Sequence, residues 1–455
     1  METNQRDVAT RVVVELKRHG HIAVFAGGCV RDEILGLEPS DYDVATSALP
    51  DEVESIFERT LPVGKAFGII VVVIDGQTIE VATLRADGQY GDGRRPDSVR
   101  FVTSLEEDAR RREFTMNAMF KDPTTGEIFD FFGGQKDLAD GIIRAVGNAE
   151  ERIDEDRLRM LRAVRFASRY GFEIDPALRS AIRKLAPELH RGPKALAWER
   201  ISKEFRGILT SANPVIGLDF MMEFGLMAEV IPELLETDSP LGDQDPVWHP
   251  EGNTWAHSRI VVQNLVGSSF ELIFAGLLHD VGKPRTQEKH DCGRITNYGH
   301  AEVGAEMARE ITRRLKLSNE SSHRIVELVR LHMKMHTVRG MRQSKLVALL
   351  ERDDIHDLIA LQDADSRGKG PFCDGDPYTQ KDFLLGKLEE LSRLDQESQR
   401  LGAAPLVNGF ILIDLGFKPG PTFKVILEEA MAAQREGVFS TGEAARGWVI
   451  EQYVA

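Results

Sequence analysis

Gly27-Gly28-Cys29-Val30-Arg31-Asp32-Glu33-Ile34-Leu35-Gly36, followed after four intervening residues by Asp41-Tyr42-Asp43-Val44-Ala45-Thr46, is the stretch on which the fold turns. Paired glycines let backbone N–H groups come close to a phosphate, and a helix starting there offers its positive end. Tyr42 to Ala45 reads as a strand, on which Asp41 and Asp43 would share one face. Two such carboxylates can bridge one or two Mg²⁺ ions, which demand hard oxygen ligands. Metals held there can activate an attacking hydroxyl and stabilise a leaving pyrophosphate. Glu80, on a strand expected over Thr78 to Leu84, adds a third carboxylate.

The flanks fit a small mixed sheet. Gln5 to His19, Val30 to Leu37 and Pro50 to Arg59 have helical patterns, and His21 to Ala26 is a short apolar strand. Gly68 to Ile74 and Thr78 to Leu84 form a hairpin about Asp75-Gly76. Ala86 to Ser98, rich in Gly, Asp, Arg and Pro, reads as a mobile loop. From Asp154 onward strand signals almost vanish. A helix over Asp154 to Tyr170 stops at Gly171, others follow over Ala195 to Leu209 and Pro214 to Phe224, a helical block runs from Trp255 to about Arg367, and the tail from Gln380 to Tyr453 is mostly helical. The expected class is α+β: a head with a mixed sheet, then an all-helical body. The expected domains are 1–140, 141–236, 237–370 and 371–455, with Thr237 to Thr254 as the connecting stretch.

The string from Gly27 to Thr46 resembles, nearly position by position, the first motif of the nucleotidyltransferase superfamily, whose head is DNA polymerase beta-like. Within it the likeness is to the bacterial and eukaryotic tRNA nucleotidyltransferases (CCA-adding enzymes) and bacterial poly(A) polymerases. The resemblance implies that Asp41 and Asp43 are catalytic Mg²⁺ ligands, with Gly27, Gly28 and Arg31 at the nucleotide. Arg111-Arg112-Glu113-Phe114-Thr115-Met116-Asn117 is similar to the family's triphosphate and sugar motif, with Glu113 where the family usually has Asp. Arg suits bidentate phosphate contacts, and Asn117 can bond a ribose hydroxyl. Glu155-Asp156-Arg157-Leu158-Arg159, continuing through Arg162 and Arg165, resembles the base-reading motif. Asp156 and Arg159, three apart on a helix, would share a face. An Asp accepts from the exocyclic amine of cytosine or adenine while an Arg donates to the ring nitrogen. Uracil and guanine present the opposite polarity and are rejected. The loop Arg85 to Phe101, with Tyr90, Asp92, Arg94, Arg95 and Pro96, resembles a flexible loop that relatives adding only cytidines tend to lack. Asp130 to Asp137 resembles a short hinge motif.

A second constellation lies downstream. His257, then His279-Asp280 within Leu277-Leu278-His279-Asp280-Val281-Gly282-Lys283-Pro284, then His300, His332 and Asp365, resembles an HD-type phosphohydrolase domain. Imidazole and carboxylate suit a divalent transition metal such as Mn, Fe, Co, Ni or Zn. The set is large enough for two ions, whose bridging water could attack a phosphoester. His290, His323 and His336 read as surface residues.

Composition bounds these readings. The chain has 455 residues and a net charge of −16, which excludes a protein coated in positive charge. By segment, 1–140 holds 16 basic against 26 acidic residues, 141–206 holds 15 against 10, and 207–455 holds 26 against 37. The one basic tract therefore carries Asp156 and Arg159. Cys29, Cys292 and Cys373 form no CxxC pair, so neither a disulfide framework nor a structural zinc site is expected. With a polar N-terminal stretch and no apolar run beyond Ile69 to Ile74, a cytoplasmic location without membrane contact is expected. The resemblance implies addition of CCA to the tRNA 3′ end from CTP and ATP. Poly(A) or A-only addition stays open, as does a metal-dependent phosphohydrolase whose head binds RNA. Oligomeric state is left open.

Overall fold

The computed structural model describes residues 4–88, 98–245, 249–369, 377–400 and 405–454, with 377–379 and 394–400 described by backbone alone. They form two compact units. The first comprises Met1–Glu236 with Val266–Ile273 and Glu310–Asn319. The second comprises Thr237–Leu265, Phe274–Arg309 and Glu320–Ala455.

The head opens with α1 (Gln5–Arg18), whose Val8, Val12, Val13 and Leu16 are fully buried and whose N-cap Asn4 accepts from Arg6 N. Then come β1 (Ala23–Ala26), α2 (Gly28–Ile34), β2 (Val44–Thr46), α3 (Pro50–Ile56), β3 (Thr60–Leu61), β4 (Ile69–Ile74) and β5 (Gln77–Thr83). After β6 (Arg85–Asp87), β7 (Val99–Phe101) and α4 (Leu105–Arg110) follow β8 (Met119–Lys121), β9 (Ile128–Asp130) and α5 (Gly134–Asp140). Seven strands make one mixed sheet in the order β3-β4-β5-β2-β1-β8-β9. Only the β2–β5 pair is parallel, with Val44 opposite Val81. The β4–β5 turn has positive φ at both Asp75 and Gly76, as an Asp-Gly hairpin demands. All four residues of β1 are buried, which puts the strand beside the double glycine at the centre of the core.

Three expectations need correction. Asp41 and Asp43 precede β2 rather than lie on it, although Asp43 O still accepts from Ala26 N at 3.0 Å. The expected loop from Ala86 is flanked by a paired hairpin, Arg85 opposite Phe101 and Asp87 opposite Val99; Tyr90, Asp92, Arg94, Arg95 and Pro96 lie outside the described residues. The helix expected over Asp154 to Tyr170 is two helices, α6 (Ala149–Glu155) and α7 (Leu158–Tyr170), after the short β10 (Ile142–Ile143). Asp156 is extended at the break, at φ −145° and ψ 104°, and its carboxylate accepts from Leu158 N at 3.0 Å. An Asp that can cap the next helix competes with continuing the previous one. Gly171 then closes α7 in the left-handed conformation.

Beyond β11 (Glu173–Ile174) the first unit continues through α8 (Pro176–Leu185), α9 (Trp198–Leu209), α10 (Pro214–Glu223), α11 (Leu226–Val230) and α12 (Glu233–Thr237). The second unit is built on α13 (Thr254–Asn264), α14 (Phe270–Leu278) from Phe274 on, α15 (Lys283–Thr286), a hairpin of β12 (Glu288–Lys289) and β13 (Ile295–Thr296), α16 (His300–Arg314) as far as Arg309, α17 (Asn319–Leu331) from Glu320 on, α18 (Gln343–Leu350) and α19 (Ile355–Gly368). α13 packs along α19. Last come α20 (Pro377–Arg400), α21 (Gly409–Asp414), α22 (Pro421–Arg435) and α23 (Gly442–Tyr453). The expected α+β head and helical body are what the structure contains. Among the described residues no helix is long and apolar enough to cross a membrane.

Candidate functional site

The head gathers three carboxylates. Because Val44 lies opposite Val81, Asp43, just before β2, falls beside Glu80 on β5, each one residue earlier. Loss of hydration pushes the Asp43 carboxyl up to about 6, helped by the like charges of Asp41 and Glu80 and opposed by Arg112. Asp43 is an exposed residue whose carboxyl is crowded by the charges of Asp41 and Glu80. Among the described residues, the three-ligand groups that close to within 4.8 Å all lie in the second unit. The head carboxylates form a looser set, suited to a cation that takes few protein ligands and keeps waters and substrate phosphates.

The double glycine is tied into this corner. Gly27 has φ +71°, and a Cβ there would stand 3.0 Å from Arg112 Nη1. Its N–H donates to Met119 O at 3.1 Å, so it is not available to a phosphate. Arg31, 5% exposed, donates to Asp32 (2.8 Å) and to Asn117 Oδ1 (2.6 Å) and lies against the stacked rings of Phe166 and Tyr170. Asn117 in turn donates to Glu113 Oε1 (3.0 Å), which also receives Arg162 (2.6 Å). Burial raises the Glu113 carboxyl, but Arg162, Arg159 and the Asn117 amide outweigh it and bring it to about 2. Cys29 beside this corner is buried, and its thiol is pushed up to about 12 by loss of hydration.

Each expected arginine meets an acid. Arg111 and Arg112 share Asp108, which is 1% exposed and takes one guanidinium on each oxygen. Arg165 donates to Glu204 at 2.6 Å. Arg159 spends Nη1 on Glu155 Oε2 and Arg152 O, both at 2.6 Å. Asp156 is paired with Arg200 at 2.9 Å, not with Arg159, and sits before the helix that carries Arg159. Asp156 therefore caps α7 instead of lying within one continuous helix with Arg159, because the chain breaks between α6 and α7.

In the second unit His257, His279, Asp280, His300, His332 and Asp365 converge, all buried. One group is His257, His279 and Asp365; the other is Asp280, His300 and His332. His257 Nε2 stands 2.8 Å from Asp365 Oδ1, and His279 Nε2 stands 3.1 Å from Asp280 Oδ2. Asp280 Oδ1 faces His300 Nε2 at 3.2 Å and His332 Nε2 at 3.7 Å. His279, His300 and His332 each place Nδ1 at 2.7–2.8 Å from the carbonyl three residues earlier: Gly276, Asn297 and Val329. A carbonyl only accepts, so Nδ1 carries the proton and each Nε2 presents a lone pair to the centre. His300 and His332 then face each other, Nε2 to Nε2, at 3.2 Å. Burial, with His279 and His300 nearby, holds His332 well below the usual imidazole range, so protonation does not relieve that contact. The buried His279 Nε2 has no hydrogen-bond partner. Lone pairs converging on two carboxylates fit a divalent cation. Burial alone would raise Asp280, but the Lys283 ammonium beside it acts the other way, and the carboxyl lies well below the usual carboxylate range.

Sequence reading missed several partners. His336, read as a surface residue, stands 2.9 Å from Asp365 Oδ2. Glu251 lies 2.8 Å from His257 Nδ1 and 2.9 Å from His249 Nδ1. Lys283 reaches Asp280 and Lys369 reaches Asp365. Asp108 was findable, standing three and four residues before Arg111 and Arg112 on α4. Glu251 had a weaker signal, a His-Pro-Glu-Gly turn just ahead of His257.

Three family models match: the Poly A polymerase head domain over residues 23–144, a probable RNA and SrmB-binding site of polymerase A over 171–237, and the HD domain over 254–367. The chain is 46% identical over 228 residues to a CCA-adding enzyme of Geobacillus thermodenitrificans, covering 50% of this chain and 55% of that one. It is 43% identical over 222 residues to a CCA-adding enzyme of Bacillus velezensis, covering 49% and 55%. These matches span about half the length of the curated relatives. A solved Bacillus stearothermophilus CCA-adding enzyme in complex with CTP aligns over 99% of this chain and 98% of its own, at 28% identity and a TM-score of 0.72. A Thermotoga maritima CCA-adding enzyme complexed with tRNA shares the fold over 98% of this chain and 94% of its own, at 18% identity and a TM-score of 0.60. The chain thus combines, in sequence order, regions similar to the Poly A polymerase head domain, its probable RNA-binding segment and the HD domain.

Proposed function

We propose that the chain adds CCA to the tRNA 3′ end from CTP and ATP. The observation that carries this reading is the crowding of Asp41, Asp43 and Glu80 beside Arg112, in a chain that aligns end to end with a CTP-bound CCA-adding enzyme. Asp41 and Asp43 would hold Mg²⁺, which supplies charge neutralisation at the triphosphate and a more acidic 3′-hydroxyl. The tRNA 3′-oxygen bonds to the α-phosphorus as the bond to the β-phosphate oxygen breaks, and pyrophosphate leaves. Arg111 and Arg112, aimed by Asp108, bind the triphosphate. Asn117, fixed between Arg31 and Glu113, orients the ribose. Asp156 accepts from the amine of cytosine or adenine, and Arg159 donates to the ring nitrogen through its remaining Nε and Nη2.

On this reading 1–140 is the transfer head, 141–236 a nucleotide- and RNA-binding neck, 237–370 the HD domain and 371–455 a helical tail. A second activity is supported by the converging Nε2 lone pairs: hydrolysis of phosphate esters at a divalent transition metal in the HD domain.

The decisive assay gives the protein Mg²⁺, CTP, ATP and a tRNA ending before CCA, and sequences the 3′ ends. CCA is expected. Long A tracts would sink the reading in favour of a poly(A) polymerase. Asp41→Ala should abolish transfer while leaving any phosphodiesterase activity intact.

A further inference from the structure

Of the four imidazoles in the His257/His279/Asp365 and Asp280/His300/His332 groups, three are oriented by main chain. His279, His300 and His332 each set Nδ1 against the carbonyl three residues earlier. All three stand at helix ends: His279 follows α14, His332 follows α17 and His300 opens α16. Carbonyls there are not all spent on a helix ladder. His257 differs. It lies inside α13, fully buried, and its own N–H belongs to the ladder, donating to Asn253 O at 3.1 Å. The carbonyl three residues earlier is that of Thr254, also within α13, where the ladder takes it. A side chain faces Nδ1 instead. Glu251 Oε1 stands 2.8 Å from it, while Nε2 stands 2.8 Å from Asp365 Oδ1.

Both ends of one buried imidazole therefore meet carboxylates. The Glu251 contact is at ion-pair distance without the alignment of a hydrogen bond, and Nδ1 makes no hydrogen bond elsewhere. Glu251 is itself 7% exposed, and His249 Nδ1 donates to its Oε1 at 2.9 Å. Two glycines shape the contact. Gly252, at φ +117°, lies between Glu251 and the N-cap Asn253, and a Cβ on Gly368 would stand 3.0 Å from His257 Nδ1.

We propose that Glu251 is a positioning residue of the metal cluster, accepting from Nδ1–H of His257 and so turning the Nε2 lone pair towards a cation shared with His279 and Asp365. A metal-bound neutral imidazole keeps one proton. Where a cation replaces the proton between Nε2 and Asp365, the remaining proton is on Nδ1, and Glu251 is the acceptor in reach. A carboxylate in that place fixes the ring and makes it a stronger ligand. Glu251 stands just outside the HD match, which begins at residue 254. The proposal rests on the metal-dependent reading of this domain.

The test uses the full chain carrying Asp41→Asn and Asp43→Asn, so that Mn²⁺ loads the second unit alone, and titrates Mn²⁺ by calorimetry. Glu251→Ala should weaken Mn²⁺ binding by about tenfold or more. Glu251→Gln should stay within about threefold of the starting protein, because its amide oxygen still accepts from Nδ1–H. With Co²⁺ as the probe, the d–d absorption should shift in the Ala variant and not in the Gln variant. A carboxylate needed only as a charge partner for His249 would be lost equally in both. Unchanged Mn²⁺ affinity in Glu251→Ala would overturn the proposal, and so would an equal loss in the Ala and Gln variants. Glu251→Ser repeats the measurement should the Ala variant unfold. A starting protein that takes up no Mn²⁺ would overturn the metal-dependent reading, and the proposal with it. Uptake that is indifferent to Glu251 would leave that reading standing and remove the proposal alone.

Discussion

At the scale of single residues, the candidate transfer site is a set of cations held in place by acids. Asp108 is the most consequential, because two arginines depend on one buried carboxylate. Asp108→Ala removes the buried carboxylate that both guanidinium groups share and is expected to cost about 3 kcal/mol, read as a drop in the urea unfolding midpoint. Nucleotide binding should weaken as well. Asp43 behaves oppositely. Its carboxyl is raised to about 6 against an ordinary value of 3.8, so the folded state binds its proton more tightly than the unfolded chain does. Its contribution to stability is greatest below about 4 and is lost as pH rises through 6. In chelator, the unsubstituted protein should therefore gain stability relative to Asp43→Asn between pH 7 and pH 5. A constant difference would show that the crowding is not felt. The carboxylates themselves were legible in the sequence, since their spacing is their signal. Their partners were not: Glu204 lies 39 positions from Arg165, and no local pattern joins them.

At the scale of elements, the errors of reading share one physical cause. An apolar period says which face is buried but not where a side chain will bond its own backbone. Asp156 did so and split one expected helix into α6 and α7. The hinge-like segment shows how tightly such junctions are packed. Asp130 accepts from Gly134 N and Gln135 N at 2.8 and 2.9 Å, and a Cβ on Gly134 would fall 2.4 Å from Thr115 O. That carbonyl belongs to the turn that presents Asn117. Gly134→Ala should cost about 1–3 kcal/mol and lower transfer by displacing Asn117, whereas Gly447→Ala, in α23 with open space around it, should leave transfer unchanged. Single-turnover CMP incorporation separates the two.

At the scale of the whole molecule, the charge of −16 and an RNA partner are compatible because the basic tract is narrow and largely neutralised from within. Arg159, Arg162 and Arg165 bring their own acids. On the proposed function a tRNA would therefore release fewer counterions than the arginine count suggests. The slope of log affinity against log salt should be shallow, corresponding to roughly three or four phosphates. A slope near −10 would contradict the paired-arginine picture.

The HD ligands also bear on the topology of the chain. His257 and Asp365 lie 108 positions apart, and the cluster draws its side chains from α13, α16, the turns after α14 and α17, and α19. A cation there would act as a reversible cross-link around a loop of that length. In the chain-entropy view, a covalent link around about 100 residues removes some 4–5 kcal/mol of freedom from the unfolded state. The described cysteines, Cys29 and Cys292, are free thiols. Imidazole and carboxylate would thus do the stapling that a secreted protein assigns to disulfides, and a chelator would act on this chain as a reductant acts on those.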